Sequence, residues 1–226
     1  MKKFLVAALS VMMMLLFTAC GPQGNNANKP EQKPDETAQT TENPTAENKP
    51  AEGTHKILIA YYSRTGDNYE VGNIEKGNTA IVAEMIAEKT GGTLFEIKPV
   101  NEYPAGYREC TEVAKAEQES NARPEIATKI ENLNEYDTIF LGYPIWWSDL
   151  PMLMYTFLEQ NNFEGKTIIP FCTSAGEYMT GKELNIPQIA KGSMTAQGLG
   201  LRGKECQENP ESVKEKVVYW INGLGY

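Results

Sequence analysis

From residue 56 onward, short apolar runs alternate with longer amphipathic stretches. Residues 56–62 predict a buried strand, because Ile57, Leu58, Ile59 and Ala60 follow without a polar break. Residues 79–89 have helical periodicity, with Ile81, Val82, Met85 and Ile86 on one face and Glu84 and Glu88 opposite. Gly91 and Gly92 close that helix. A second strand is expected at 93–97 and a polar helix at 107–120, presenting Val113 and Ala116 inward. The apolar run 136–143 predicts a third, central strand, followed by a helix over 152–160 and a fourth strand over 167–172. A glycine-rich fifth strand over 196–201 precedes a closing helix over 211–222, with Val213, Val217, Val218 and Ile221 inward. This alternation predicts an α/β fold: a doubly wound five-stranded parallel sheet with helices on both faces. The order 2-1-3-4-5 places a ligand at the crevice above strands one and three.

The amino terminus has a different pattern. Lys2 and Lys3 precede an apolar run from residue 4 to 17 broken only by Ser10. It suits a signal segment and is short of the roughly 20 apolar residues of a membrane span. Phe17, Thr18, Ala19, Cys20 and Gly21 resemble the lipobox of bacterial lipoproteins, in which the cysteine becomes the lipidated first residue; Phe17 stands where leucine is usual. The alternative is an ordinary signal peptide cut near Ala19. Residues 21–54 hold no aromatic or branched aliphatic side chain, so nothing there offsets the entropy of ordering. The expected organisation is a lipoprotein signal peptide at 1–20, a disordered tether at 21–54 with a reach on the order of 30 Å, and one folded domain at 55–226. The domain is thereby expected outside the cytoplasm, held to a bacterial membrane only through the lipid on Cys20.

Loss of Lys2 and Lys3 with the signal would take the net charge from −9 to −11. An acidic balance argues against nucleic acid and against electrostatic adhesion to anionic lipid, and suits docking to a basic protein. Beyond Cys20 there are Cys110, Cys172 and Cys206, with no Cys-x-x-Cys spacing and no cluster of metal ligands. No metal is expected. Cys172 reads as a small core residue, and one disulfide between Cys110 and Cys206 is open outside the cytoplasm. The single histidine, His55, abuts the tether, far from any nucleophile it could activate.

Three loops should meet at the crevice. The first holds Ser63, Arg64, Thr65 and Gly66, then Asn78 and Thr79 beyond the insert 67–76. The second is Tyr143, Pro144, Ile145, Trp146, Trp147 and Ser148; the third is Thr173, Ser174, Ala175, Gly176, Glu177 and Tyr178. Hydroxyls and free amides at a strand end facing a helix start suit a phosphate. Two adjacent indoles after a proline cannot both point inward, so at least one suits a ligand wall. In this order, after these strands, the motifs resemble the flavodoxin family over residues 56–222, in particular its branch with a Tyr-Pro-Ile-Trp-Trp loop.

The resemblance implies noncovalent FMN. Ser63, Thr65, Asn78 and Thr79 would hold its phosphate, and Arg64 either assists by charge or stands on the surface. Pro144, Ile145, Trp146 and Trp147 would line the isoalloxazine, with Thr173, Ser174, Ala175 and Gly176 closing its other edge. The insert departs from the short family loop; it is either a docking flap or a displacement of Asn78 and Thr79 from the phosphate. Tyr178 either stacks on the flavin or lies on the surface. Tyr103, Pro104 and Tyr107 either cap the pocket, as the resemblance implies, or pack at a turn, and Glu117 and Glu119 are expected to form a solvated face. The leading function is electron transfer to a redox protein or a quinone. An FMN-dependent NAD(P)H or quinone reductase is the enzymatic alternative, and a noncatalytic surface-binding module the nonenzymatic one.

Overall fold

The computed structural model describes residues 55–176 and 178–226. The expected signal peptide, Cys20 and tether lie outside the described residues. The chain runs through β1 (Ile57–Tyr61), the short β2 (Gly66–Asn68) and β3 (Gly72–Ile74), α1 (Asn78–Thr90), β4 (Thr93–Glu96) and α2 (Tyr107–Glu119). Then follow β5 (Thr138–Pro144), α3 (Met152–Gln160), β6 (Thr167–Ser174), α4 (Ile186–Ile189), β7 (Met194–Thr195), β8 (Leu199–Arg202), α5 (Gly203–Glu208) and α6 (Pro210–Leu224).

The sheet is parallel in the order β4-β1-β5-β6, with β7 and β8 both paired to β6. This is the expected 2-1-3-4-5 arrangement, its fifth position shared by two short pieces. The break has a cause in β6. Ala196 N–H donates to the Ile168 carbonyl at 3.0 Å, so Pro170, two residues on, turns its nitrogen to the same side. Proline has no N–H to give, and the ladder lapses between Thr195 and Leu199.

Every residue of β1 is buried, because both faces of the sheet are covered. Leu58 and Ala60 pack with Ile139, Leu141, Leu153 and Phe157 on the face of α3. Ile57, Ile59 and Tyr61 pack with Val82 and Ile86 of α1 and Val213, Val217, Trp220 and Ile221 of α6 on the other. In α2 the sequence expectation of Val113 and Ala116 inward is corrected: Cys110 and Ala114 are buried, and the other two face outward. The small pair, four residues apart, defines the packed face.

The disulfide left open between Cys110 and Cys206 is absent; both cysteines and Cys172 are free and buried. Cys206 packs on the α1 and α6 face, whereas Cys110 lies by Tyr62, whose cluster is on the α3 face. The sheet separates them. Cys172 is a core residue, as expected.

At the sheet centre, Gly142 leaves room for the ring of Phe171, whose Cζ would stand 2.2 Å from an added Cβ. Gly142→Ala should therefore destabilise the domain by about 1–3 kcal/mol. Urea unfolding monitored by circular dichroism measures this, and an unchanged midpoint would show that Phe171 can move aside freely.

Candidate functional site

Parallel strands end on the same edge, so the loops after β1, β5, β6 and β8 are brought together there. They enclose a cavity of about 460 Å³. Of the residues singled out in the sequence, Arg64, Asn78, Pro144, Ile145, Trp146, Trp147, Thr173, Ser174 and Ala175 line it. Ser63, Thr65, Gly66, Thr79 and Gly176 stand off its wall.

One end of the cavity is built on the start of α1. Gly77 precedes the helix, and a Cβ there would come within 2.2 Å of Ser63 Oγ and 2.5 Å of the Arg64 carbonyl. That close approach lets Ser63 Oγ accept the Ala80 N–H at 3.0 Å. The amides of Asn78 and Thr79, just before it in the same first turn, have no intrahelical acceptor. The Asn78 carboxamide is held by Gln207, whose Nε2 donates to Asn78 Oδ1 at 2.8 Å. Gly203 passes so near that a Cβ would lie 2.4 Å from Asn78 Nδ2, and Lys204 adds a cation to the same wall. Thr79 is 1% exposed, and its hydroxyl is hydrogen-bonded to that of Thr173 at 2.9 Å. This pair fastens the start of α1 to the end of β6. Thr65 is exposed.

Arg64 does not stand on the surface but lines the cavity from a buried position. It is 9% exposed; Nη1 donates to the Asp67 carbonyl and Nη2 to those of Pro104 (2.9 Å) and Ala105 (2.6 Å). The guanidinium ties the base of the insert to the segment leading into α2. Its Nε has no partner.

The other end is aromatic. Trp146 and Asp149 exchange backbone hydrogen bonds of 2.9 and 3.0 Å, closing a turn whose two central residues, Trp147 and Ser148, have φ of +49° and +62°. A tryptophan in that region carries strain on the order of 1 kcal/mol. The turn splits the two indoles, in line with the argument that both could not point inward. Trp146 packs edge-on to Tyr62 and Tyr103, with centroids 5.6 and 4.8 Å away. Trp147 leans outward over α2, its Nε1 donating to the Thr111 carbonyl at 2.9 Å and its ring 5.4 Å from Lys115 Nζ. In the third loop Ser174 Oγ donates to the Gly176 carbonyl (2.9 Å) and accepts its N–H (3.1 Å). Gly176 carries the ring of Tyr178, which stands on the cavity wall half exposed.

Several wall residues escaped the sequence reading: Asn68, Tyr69 and Glu70 of the insert, Cys110, Thr111 and Ala114 of α2, and Gly203 and Lys204. Only Gly203 carried a signal, as a glycine between a strand and a helix. Of the two tyrosines given as pocket caps or turn residues, Tyr107 lines the cavity and Tyr103 packs on Trp146. Glu117, expected on a solvated face, is half-buried and accepts the Tyr103 hydroxyl at 2.8 Å. Burial raises its carboxyl above the ordinary glutamate range, and the Tyr103 hydrogen bond offsets part of that. Burial likewise raises the Cys110 thiol, with Arg64 pulling it back. Among the described residues no group of metal-ligating side chains is found.

An open parallel sheet with its cavity above the junction of β1 and β5 is a doubly wound nucleotide-binding architecture. The model of the flavodoxin family matches residues 56–222, and the chain belongs to that family. A candidate flavoprotein of Bacteroides uniformis ATCC 8492 is 32% identical, with a TM-score of 0.60 over 74% of this chain and 98% of that one. Another, of Bacteroides eggerthii DSM 20697, is 28% identical, with a TM-score of 0.57 over 76% of this chain and 98% of that one. A flavoprotein of Lactobacillus acidophilus NCFM, solved in complex with FMN, is 25% identical, with a TM-score of 0.53 over 68% and 97%. No curated protein matches the chain.

The raised carboxyl of Glu117 makes a pH-dependent prediction. Its contribution to stability is present below the unfolded glutamate pKa and is lost as pH rises through the higher folded value. Glu117→Gln keeps an acceptor for Tyr103 without the charge. The melting temperature of the variant relative to wild type should climb as pH rises above the ordinary glutamate range, from about pH 4. A difference that stays flat or falls would show that Glu117 is ordinarily solvated.

Proposed function

We propose that this domain is an FMN-binding redox flavodoxin, lipid-anchored through Cys20 outside the cytoplasm, that exchanges electrons with a basic redox protein or a membrane quinone. The observation that carries the reading is one cavity with a donor-rich end at the start of α1 and an aromatic end at Trp146 and Trp147. FMN is the cofactor whose two ends match them. Its phosphate needs N–H and ammonium donors with no bulky side chain between. Those are the first amides of α1, the Asn78 carboxamide and Lys204, reached across the bare Cα atoms of Gly77 and Gly203. Its flat ring needs an apolar wall, which Pro144, Ile145 and the two indoles provide. A volume of about 460 Å³ falls within the range of cofactor sites.

Bound FMN supplies one-electron and hydride chemistry. The chain's own groups position it and set its surroundings. The loop after β6 presents backbone amides and carbonyls at Ser174 and Ala175, which tune a ring they touch. Buried Arg64 makes no ion pair among the described residues, so it biases the cavity towards negative charge. The net charge of −9 favours a basic partner. The tether lets the domain reach such a partner, or quinone at the membrane surface, without leaving the membrane.

Fluorescence titration should show FMN binding at least about tenfold tighter than riboflavin, which lacks the phosphate. Equal affinities would remove the phosphate site, and no uptake of either would leave the noncatalytic binding module as the better reading. The anchor is tested separately. Cys20→Ala should move the protein from the membrane to the soluble extracytoplasmic fraction with an unchanged flavin spectrum; continued retention would mean another anchor.

A further inference from the structure

The insert 67–76 folds into the hairpin β2–β3, and Asn68, Tyr69 and Glu70 at its turn line the cavity. A hairpin with three-residue strands is marginal alone, so external contacts must hold it. Three sets do. At its base Arg64 binds the Asp67 carbonyl, and Asp67 N–H donates to the Ala105 carbonyl at 2.8 Å. On its flank the Tyr69 ring lies 5.8 Å from that of Tyr107 at the start of α2. At its tip Glu70 accepts Arg202 Nη2 at 2.8 Å, joining the insert to the end of β8.

The tip is strained. Val71 N–H donates to the Asn68 carbonyl at 3.3 Å, which puts Glu70 third in the turn with φ of +62°. Glycine takes that conformation freely and glutamate does not. A glutamate placed there has a side chain with work to do, and the contact it makes is Arg202. A second observation concerns the aromatic rings. Five tyrosine and tryptophan side chains are exposed among the described residues; Tyr69, Tyr107, Trp147 and Tyr178 all line this cavity, and only Tyr219 stands elsewhere. Aromatic surface gathered around one opening is surface that a ligand covers.

We infer that the β2–β3 hairpin is a strap forming the outer wall of the flavin site, with Tyr69 and Tyr107 against the ligand and Glu70–Arg202 as its clasp. This rests on the FMN reading above and extends it to a segment that reading does not use. The strap keeps a noncovalent cofactor in place by slowing its release. Opening the clasp speeds both entry and escape, whereas shortening Tyr69 removes contact and speeds escape alone.

Stopped-flow fluorescence of FMN binding to the full-length protein tests this. Glu70→Gln and Arg202→Gln should each raise the association and dissociation rates together by about two- to fivefold, the range of an exposed ion pair. The reversed pair, E70R with R202E, should return both rates towards wild type, and it keeps the clasp testable if a single variant loses its fold. Tyr69→Ala should raise the dissociation rate about two- to tenfold with association unchanged. Wild-type rates in all variants would overturn the strap and leave the FMN site standing. A wild-type protein that takes up no FMN would overturn both.

Discussion

The constraint on which the rest depends is the burial of β1 on both faces with a parallel partner on each edge. Strand β1 pairs with β4 and β5, and its five residues are all buried. A strand so enclosed must be apolar throughout, and its partners must run the same way because helical crossovers connect them. All strands then discharge their loops at one edge. The cavity results from that direction before any side chain is considered, and the loops supply its chemistry.

What joins the loops to one another is a small set of polar contacts between distant segments. Thr79 and Thr173 fasten α1 to β6, Gln207 holds Asn78 from α5, and Arg64 collects carbonyls from the insert and from Pro104 and Ala105. None of these side chains needs to touch a ligand to matter. Each fixes a loop to the frame, so that amides and rings meet a cofactor without reorganising. The glycines at 77 and 203 belong to the same logic: a Cβ at 77 would meet the Arg64 carbonyl, and one at 203 would push the Asn78 carboxamide aside. The aromatic end uses backbone strain instead, with Trp147 held at positive φ so that the adjacent indoles diverge.

Much of this was legible in the chain. The runs of apolar residues placed each main strand and helix within a few positions, because a doubly covered parallel sheet leaves a continuous hydrophobic signature. The positions of the three loops followed from the strand ends, and the family from the motifs in those loops. Lipid attachment at Cys20, the tether and the membrane location are expectations of the same sequence, carried forward as proposals.

Tertiary structure decided which residue in each loop does what. Sequence reads a hydroxyl at 65 and one at 79 alike, but Thr65 faces solvent and Thr79 is sealed against Thr173. It gave no reason to bury Arg64 among carbonyls, to sink Glu117 beneath Tyr103, or to bring Tyr69 and Glu70 over the cavity. Each of these rests on a partner outside its own element, from 14 residues away for Glu117 and Tyr103 to 132 for Glu70 and Arg202. Periodicity reports which side of an element is buried; it holds no record of what lies across the gap. The elements and the edge at which a ligand binds were written in local pattern, while the walls of the site were set by contacts that exist only once the chain has folded.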